Sequence, residues 1–228
     1  TTMNTNEKQP KKEKKEEKPI LKSTIVTEDA LYEMVYDRIL NKTSYIKIDR
    51  RGQMEFFVEE VKIGEVRYRP YSPTYNLIEK NVILFPSLTC PYKNEEEILV
   101  EVRAFIHKYL DITETYEQIA TYYVLFSWMY DKFNEVPYLR TIGDFGSGKS
   151  RFLQAIGILC YKPIFTGGAT TPSPIFRIVN EAKGTLIIDE ADFKHSDMTS
   201  EIVKILNTGY QKGMAVLRSE GKGTFEVK

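Results

Sequence analysis

Residues 143–150 have the sequence Gly143-Asp144-Phe145-Gly146-Ser147-Gly148-Lys149-Ser150, which matches the pattern Gly-x-x-x-x-Gly-Lys-Ser at every fixed position. Glycine lets such a loop turn tightly and point backbone N–H groups at phosphate oxygens. The apolar residues that follow have helical spacing, so the N-terminus of a helix adds partial positive charge at the same place. The loop therefore predicts a phosphate site between a short apolar strand at 137–142 and that helix.

Each residue type in the loop suits one part of a bound triphosphate. We expect the ammonium of Lys149 to reach the β- and γ-phosphates and to act in catalysis, and the hydroxyl of Ser150 to bind Mg²⁺. The expected ligands of the whole loop are ATP and Mg²⁺. The alternative is a chance glycine-rich turn, which the flanking strand and helix argue against.

A second motif follows Lys149 after 40 residues, where the apolar run 184–188 ends in Asp189 and Glu190. Buried parallel strands are apolar throughout, and open α/β sheets bind ligands at the carboxyl ends of their strands. We therefore expect Asp189 to bind Mg²⁺ beside the phosphate loop. Glu190 is the expected general base for the attacking water. The spacing leaves room for one more strand, at 163–166.

The alternation of strands and helices from residue 137 predicts a three-layer α/β domain with a mainly parallel sheet. Three regions precede this core, which covers 137–228. The Lys/Glu-rich tail 1–23 is expected to be disordered, 24–93 to form a small α+β domain, and 94–136 to form a helical pair. The chain does not begin with Met and ends within a predicted strand, so we expect the core to be incomplete at its C-terminus.

Within the first regions, the sequence predicts particular elements. Thr27 is the expected cap of a helix with an inward stripe at Leu31, Met34, Val35 and Ile39, and strands are expected at 44–49, 54–60 and 61–69. Asn94 and Thr113 are the expected starts of two helices. The second of these is expected to turn five aromatic or apolar side chains inward, namely Ile119, Tyr122, Tyr123, Phe126 and Tyr130.

Composition excludes several classes of protein. Lys plus Arg and Asp plus Glu are both 32, so bulk charge gives no support for nucleic-acid binding and any such surface must be local. Cys90 and Cys160 lie far apart, which argues against a zinc site or a disulfide framework. No segment has the length of a membrane span, and no secretory signal is evident. The expected location is the cytoplasm, with no membrane partner.

A hairpin is expected after the acidic strand, with strands at 214–218 and 224–228, and the chain from residue 212 onward carries Lys212, Arg218 and Lys222. The run from Tyr138 to Lys228 resembles the ATPase core of AAA+-related and superfamily-three-helicase-like proteins of phages, plasmids and integrated elements. The motifs that carry this resemblance are Gly-Asp-Phe-Gly-Ser-Gly-Lys-Ser, Ile-Ile-Asp-Glu-Ala-Asp and Ile-Leu-Asn-Thr-Gly-Tyr.

The resemblance implies a DNA-associated, oligomeric ATPase, expected to form a homo-oligomeric ring. In that family a basic hairpin after the acidic strand grips DNA phosphates, which makes Lys212, Arg218 and Lys222 candidate DNA contacts. The alternative is a hairpin with solvated basic side chains. Two other functions stay open: an ATP-gated switch or loader that does not translocate, and a P-loop kinase that acts on a small molecule.

Overall fold

The computed structural model describes residues 18–167, 172–189, 206–207, 209–212, 217–220 and 224–227. The helices are α1 (Asn76–Glu79), α2 (Glu95–Tyr109), α3 (Glu114–Trp128), α4 (Lys149–Gly157) and α5 (Pro172–Ala182), with one 3₁₀ turn at Tyr130–Lys132. The strands are β1 (Ile20–Leu21), β2 (Thr24–Val26), β3 (Ala30–Asp37), β4 (Lys42–Asp49), β5 (Met54–Val58), β6 (Val61–Ile63), β7 (Val66–Arg69), β8 (Ile164–Gly167), β9 (Leu186–Asp189), β10 (Leu217–Glu220) and β11 (Thr224–Val227).

The largest sheet in the described part of the chain is antiparallel throughout, with the strand order β2-β3-β4-β5. Strands β3 and β4 pair along their whole length, from Ala30 opposite Asp49 to Asp37 opposite Lys42. The pairing of β4 with β5 shifts register between Tyr45 and Lys47. A smaller sheet has the order β1-β7-β6, in which β1 runs parallel to β7 and β6 runs antiparallel to it.

The prediction of a helix after Thr27 is wrong, because this segment forms strand β3. The Thr27 hydroxyl does accept N–H groups of the next residues, from Asp29 at 3.3 Å and Ala30 at 3.0 Å, but the turn leads into a strand. Met34 is buried, whereas Ile39 of the expected stripe is 95% exposed. The inward side chains Tyr32, Met34 and Tyr36 instead repeat every two residues, which is the period of a strand.

One apolar core joins the antiparallel sheet to the region after the phosphate loop. It includes Met34 and Tyr45 from the sheet, and Ile164 of β8 and Ala182 of α5. Ile83 forms an isolated antiparallel bridge to Ile164. The sheet and the β8–β9 pair are therefore packed on shared apolar side chains.

The helical pair begins as predicted. Asn94 accepts the N–H of Glu97 through its side chain at 3.0 Å, which caps α2, whereas Thr113 precedes α3 without a side-chain bond to it. The inward face predicted for the second helix is partly wrong, since Ile119, Tyr122 and Tyr130 are exposed. Its buried positions are Glu117, Ala120, Thr121, Val124 and Ser127.

Strands β8 and β9 form a parallel pair, as the sequence predicted for 163–166 and the acidic strand, with Gly167 opposite Asp189. Helix α4 follows the phosphate loop as expected and packs against β9. Near the end of the chain β10 and β11 form the expected antiparallel hairpin, with strand bounds at 217–220 and 224–227.

The prediction of a mainly parallel three-layer α/β sheet is wrong. The described strands form an α+β protein with mostly antiparallel sheets, in which β8–β9 and β1–β7 supply the parallel pairs. The physical reason lies in the segment 137–142, which is not a strand. Residues in and next to this segment hydrogen-bond to residues that follow β9 in the chain. Val136 donates its N–H to the carbonyl of Tyr210, and Tyr138 donates its hydroxyl to the carbonyl of Leu206.

Candidate phosphate-binding site

The backbone of the Gly-rich loop has the conformation that its glycines predict. Gly146 has φ 79° and Gly148 has φ 85°, both in the left-handed region that residues with a Cβ rarely adopt. The Ser147 N–H donates to the carbonyl of Asp144 at 3.2 Å and closes a tight turn. Residues 142–148 are exposed, so the loop stands open to solvent.

A second glycine requirement applies at the start of the loop. A Cβ on Gly143 would lie 2.5 Å from Oγ of Ser147, which is closer than real Cβ atoms approach. Any other residue at position 143 would therefore have to displace the side chain of Ser147.

Helix α4 begins at Lys149, directly after the left-handed Gly148, which offers no side chain as a cap. The first N–H groups of an α-helix have no acceptor within the helix. In α4 they follow an exposed glycine loop, and the helix dipole places partial positive charge there. The arrangement suits an anion of high charge, such as a phosphate chain.

The ammonium of Lys149 folds back over the loop. Its Nζ donates to the carbonyl oxygens of Gly143 and Asp144, at 2.7 Å each. The cation is thus held at the loop by two neutral acceptors and has no carboxylate partner among the described residues. An incoming phosphate oxygen would be a stronger, charged acceptor for the same ammonium.

The structure places the two acidic candidates differently. Asp189 is the last residue of β9 and is half-buried, whereas Glu190 lies outside the described residues. Helix α4 contacts the middle of β9 near its own end, where a Cβ on Gly157 would lie 3.0 Å from Cγ1 of Ile187. A six-residue connection then leads from α4 into β8. Such a short connection is typical of a helix that runs antiparallel to the next strand, with its N-terminus toward the carboxyl ends of the strands.

No pattern in the sequence predicts the contacts that anchor the far end of α4. The indole N–H of Trp128 donates to the carbonyl of Leu159 at 2.9 Å, and the hydroxyl of Ser127 accepts the N–H of Tyr161 at 3.0 Å. Both partners come from the end of α3. The helical pair is therefore tied to the helix that bears Lys149 and Ser150.

The candidate DNA contacts are spread over several segments. Lys212 is exposed, and its backbone N–H donates to the carbonyl of Asn134 at 2.8 Å. Arg218 lies on β10, where the register places it opposite Glu226 of β11. Lys222 lies outside the described residues. The backbone register thus sets an acidic residue across from one of the three basic candidates.

A cavity of about 300 Å³ lies away from this site, between α1 and α5, and its lining includes Tyr75, Leu77, Arg177 and Ile178. None of its lining residues belongs to the phosphate loop. Among the described residues, the candidate site is an exposed loop at a helix terminus.

No protein-family model matches the chain, and neither does any curated protein or solved structure. Assignment to a family therefore rests on the motifs and stays a proposal. Among the described residues, no helix has both the length and the apolar character needed to cross a membrane. In that same part of the chain, His, Cys, Asp and Glu side chains form no group of three or more that could hold a metal ion.

Proposed function

We propose that the chain binds ATP with Mg²⁺ at residues 143–150 and hydrolyses it, as an ATPase that acts as a DNA-associated motor or helicase-like protein. The observation that supports the nucleotide site is the loop itself. Two left-handed glycines lead into α4, and the Lys149 ammonium lies over the loop at 2.7 Å from two of its carbonyl oxygens. These features support the proposal that the loop is a preformed cradle for an anion.

In this proposal the loop binds the triphosphate through its backbone N–H groups and the first turn of α4. Lys149 leaves the carbonyls of Gly143 and Asp144 and binds the β- and γ-phosphate oxygens. Its charge then offsets the negative charge that develops on the transferred phosphoryl group. The exposed side of the loop leaves room for the rest of the nucleotide.

Magnesium binds oxygen ligands and usually contacts only one or two protein carboxylates beside the phosphates of a substrate. A site made of one hydroxyl, one carboxylate and the phosphates fits this pattern. The Ser150 hydroxyl is exposed on the first turn of α4, and Asp189 ends β9. These two residues would hold the ion. When bound, it would neutralise charge on the phosphate oxygens.

Glu190 follows Asp189 directly and is proposed as the general base. A carboxylate at this point would accept a proton from the water that attacks the γ-phosphate. Its amide analogue keeps the shape and loses the basicity. Nucleotide binding and hydrolysis are therefore expected to separate at this residue.

A second candidate is an ATP-gated switch or loader that does not move along DNA. The backbone register of the β10–β11 hairpin supports it, because Arg218 has the acidic residue Glu226 as its register partner, so that this pair of positions carries no net positive charge for DNA phosphates. Both candidates share the nucleotide site. They differ in whether DNA stimulates turnover.

The test is ATP turnover and ATP affinity of the full chain, with and without single-stranded DNA. We compare wild type with Lys149→Ala, Glu190→Gln and the exposed control Lys80→Ala. We expect Lys149→Ala to lose tight ATP binding, Glu190→Gln to bind ATP but lose hydrolysis, and the control to match wild type. DNA-stimulated turnover in wild type supports the motor, and turnover unaffected by DNA supports the switch. Equal turnover in all four proteins would refute the nucleotide site.

A further inference from the structure

A buried lysine lies in the connection between α4 and β8. The side chain of Lys162 is fully buried, and its Nζ lies 2.6 Å from Oε1 of Glu33 on β3. The same ammonium donates to the hydroxyls of Ser23, at 3.1 Å, and Thr24. All three partners come from the N-terminal sheet or the residue before it.

Burial of a charge costs free energy unless partners replace its lost water. Burial lowers the pKa of Lys162, and the charge of Glu33 opposes that shift. The backbone of Lys162 also has φ 41°, which non-glycine residues rarely adopt. A strained, buried cation persists when the surrounding structure holds it firmly.

The neighbouring Tyr161 reinforces the same contact. Its hydroxyl donates to both carboxylate oxygens of Glu33, at 3.1 and 3.2 Å. Its backbone N–H donates to the hydroxyl of Ser127 on α3. The α4–β8 connection is therefore fixed from two sides, by the N-terminal sheet through Glu33 and by the helical pair through Ser127.

Helix α4 has nine residues and carries Lys149 and Ser150 on its first turn. A helix of this length moves as a rigid rod, so a shift at its end displaces its first turn. The same connection also leads into β8, the partner strand of β9, which ends at Asp189. The Glu33–Lys162 contact thus lies at the junction of both elements that carry the candidate nucleotide-site residues.

We propose that Lys162 and Glu33 are positioning residues for the nucleotide site, and that their ion pair couples the N-terminal sheet to ATP binding at the phosphate loop. This inference rests on the proposed function. Because coupling free energy is reciprocal, ATP at the loop stabilises the contact of the α4–β8 connection with the sheet, and loss of that contact weakens ATP binding.

The first test measures ATP affinity in folded Glu33→Gln, Lys162→Met and the double variant. We expect each single variant to bind ATP at least about fivefold more weakly than wild type. The double variant is expected to lose less than the product of the two single effects, since it leaves no unpaired buried charge. Glu33→Asp, which keeps the charge, should recover part of the affinity.

The matched control is Lys47→Met, which breaks the surface ion pair of Lys47 with Glu55 on the same antiparallel sheet. It is expected to bind ATP as wild type does. ATP affinity of folded Glu33→Gln within about twofold of wild type would overturn the coupling. If Lys162→Met does not fold, the ATP affinities of Glu33→Gln and Glu33→Asp still test the coupling.

The second test does not need ATP. Amide hydrogen exchange of Glu33→Gln is expected to rise together in β2, β3 and α4, because one contact holds all three. A rise confined to β2 and β3 would overturn the proposal. Failure of wild type to bind ATP would refute the proposed function, and the exchange experiment would then show whether the sheet and α4 are mechanically joined.

Discussion

The Nδ1 atom of His107 lies 2.6 Å from Oε1 of Glu117 and joins α2 to α3. The hydrogen bond with His107 is the largest influence on the pKa of Glu117 and lowers it, and Arg103 acts in the same direction. The glutamate side chain is almost fully buried between the helices, whereas that of His107 is largely exposed. A buried carboxylate thus fixes the packing of the helical pair.

Loss of this carboxylate gives the first prediction. A lowered pKa in the folded state means that the charged Glu117 stabilises the fold above its ordinary pKa, and that this stabilisation disappears as pH falls through the lowered value. Glu117→Gln should therefore be less stable than wild type at about pH 7, with a difference that shrinks toward about pH 3. Urea unfolding at several pH values measures this.

The matched control is Glu114→Gln, which removes the exposed partner of the same Arg103. Exposed ion pairs contribute little, so this variant should unfold almost as wild type does at every pH. A Glu117→Gln protein with a constant deficit across the pH range would show that lost packing, and not charge, explains its instability.

The second prediction compares two of the glycines that have a left-handed backbone, Gly148 in the Gly-rich loop and Gly52 in the β4–β5 turn. Gly148→Ala, at φ 85°, should cost about 1–2 kcal/mol of stability and weaken ATP binding by about tenfold, because the added Cβ disfavours the loop conformation. Gly52→Ala, at φ 77° in the β4–β5 turn, imposes the same strain far along the chain. It should show a similar drop in thermal stability and keep wild-type ATP affinity. Equal ATP affinity in both variants would contradict the role of the loop.

The third prediction concerns the cap of α2. Asn94→Ala removes the acceptor of the Glu97 N–H and should lower the free energy of unfolding by about 1 kcal/mol. Asn94→Ser, which restores an acceptor, should regain most of that loss. Thr113→Ala is the control, since the Thr113 side chain makes no cap bond to α3. Chemical denaturation measures all three, and an equal loss in Thr113→Ala and Asn94→Ala would contradict the assignment.

The fourth prediction concerns thiol reactivity. Burial raises the pKa of the Cys160 thiol to about 11, whereas Cys90 is exposed. Thiolate is the reactive form, so Ellman's reagent should modify one thiol per chain in the native protein and both in denaturant. Cys90→Ala should leave the native protein unreactive. Fast modification of Cys160 in that variant would show that its site opens readily.

Local patterns predicted many elements correctly. The alternating runs that became β4 to β7, the Asn94 cap and the helix after the Gly-rich loop were all visible in the sequence, because turn residues and apolar periodicity act over a few positions. The helix predicted after Thr27 was wrong because the same local patterns fit more than one structure there. Its Thr27 turn resembles a helix start, and its spacing fits both periods until pairing with β4 selects the strand.

Sheet architecture and the buried ion pair depend on distant residues. The run 137–142 is apolar enough for a parallel strand. However, Val136 and Tyr138 hydrogen-bond to the carbonyls of Tyr210 and Leu206, and no short-range pattern in the sequence predicts these long-range bonds. No local pattern predicts the burial of Lys162, because its partner Glu33 lies in a distant part of the chain. The Gly-rich pattern at 143–150 is visible in the sequence because its residues are contiguous, and its role in binding phosphate stays a prediction.

Gly184 shows how an absent side chain can set the shape of a protein. A Cβ at this position would lie 2.0 Å from the carbonyl oxygen of Lys162, so any other residue would force β9 and the turn before β8 apart. That displacement would disturb the register in which Asp189 lies opposite Gly167, at the other end of the strand pair. The position of Asp189, proposed to bind magnesium, thus depends on the absence of a side chain at Gly184, five residues earlier.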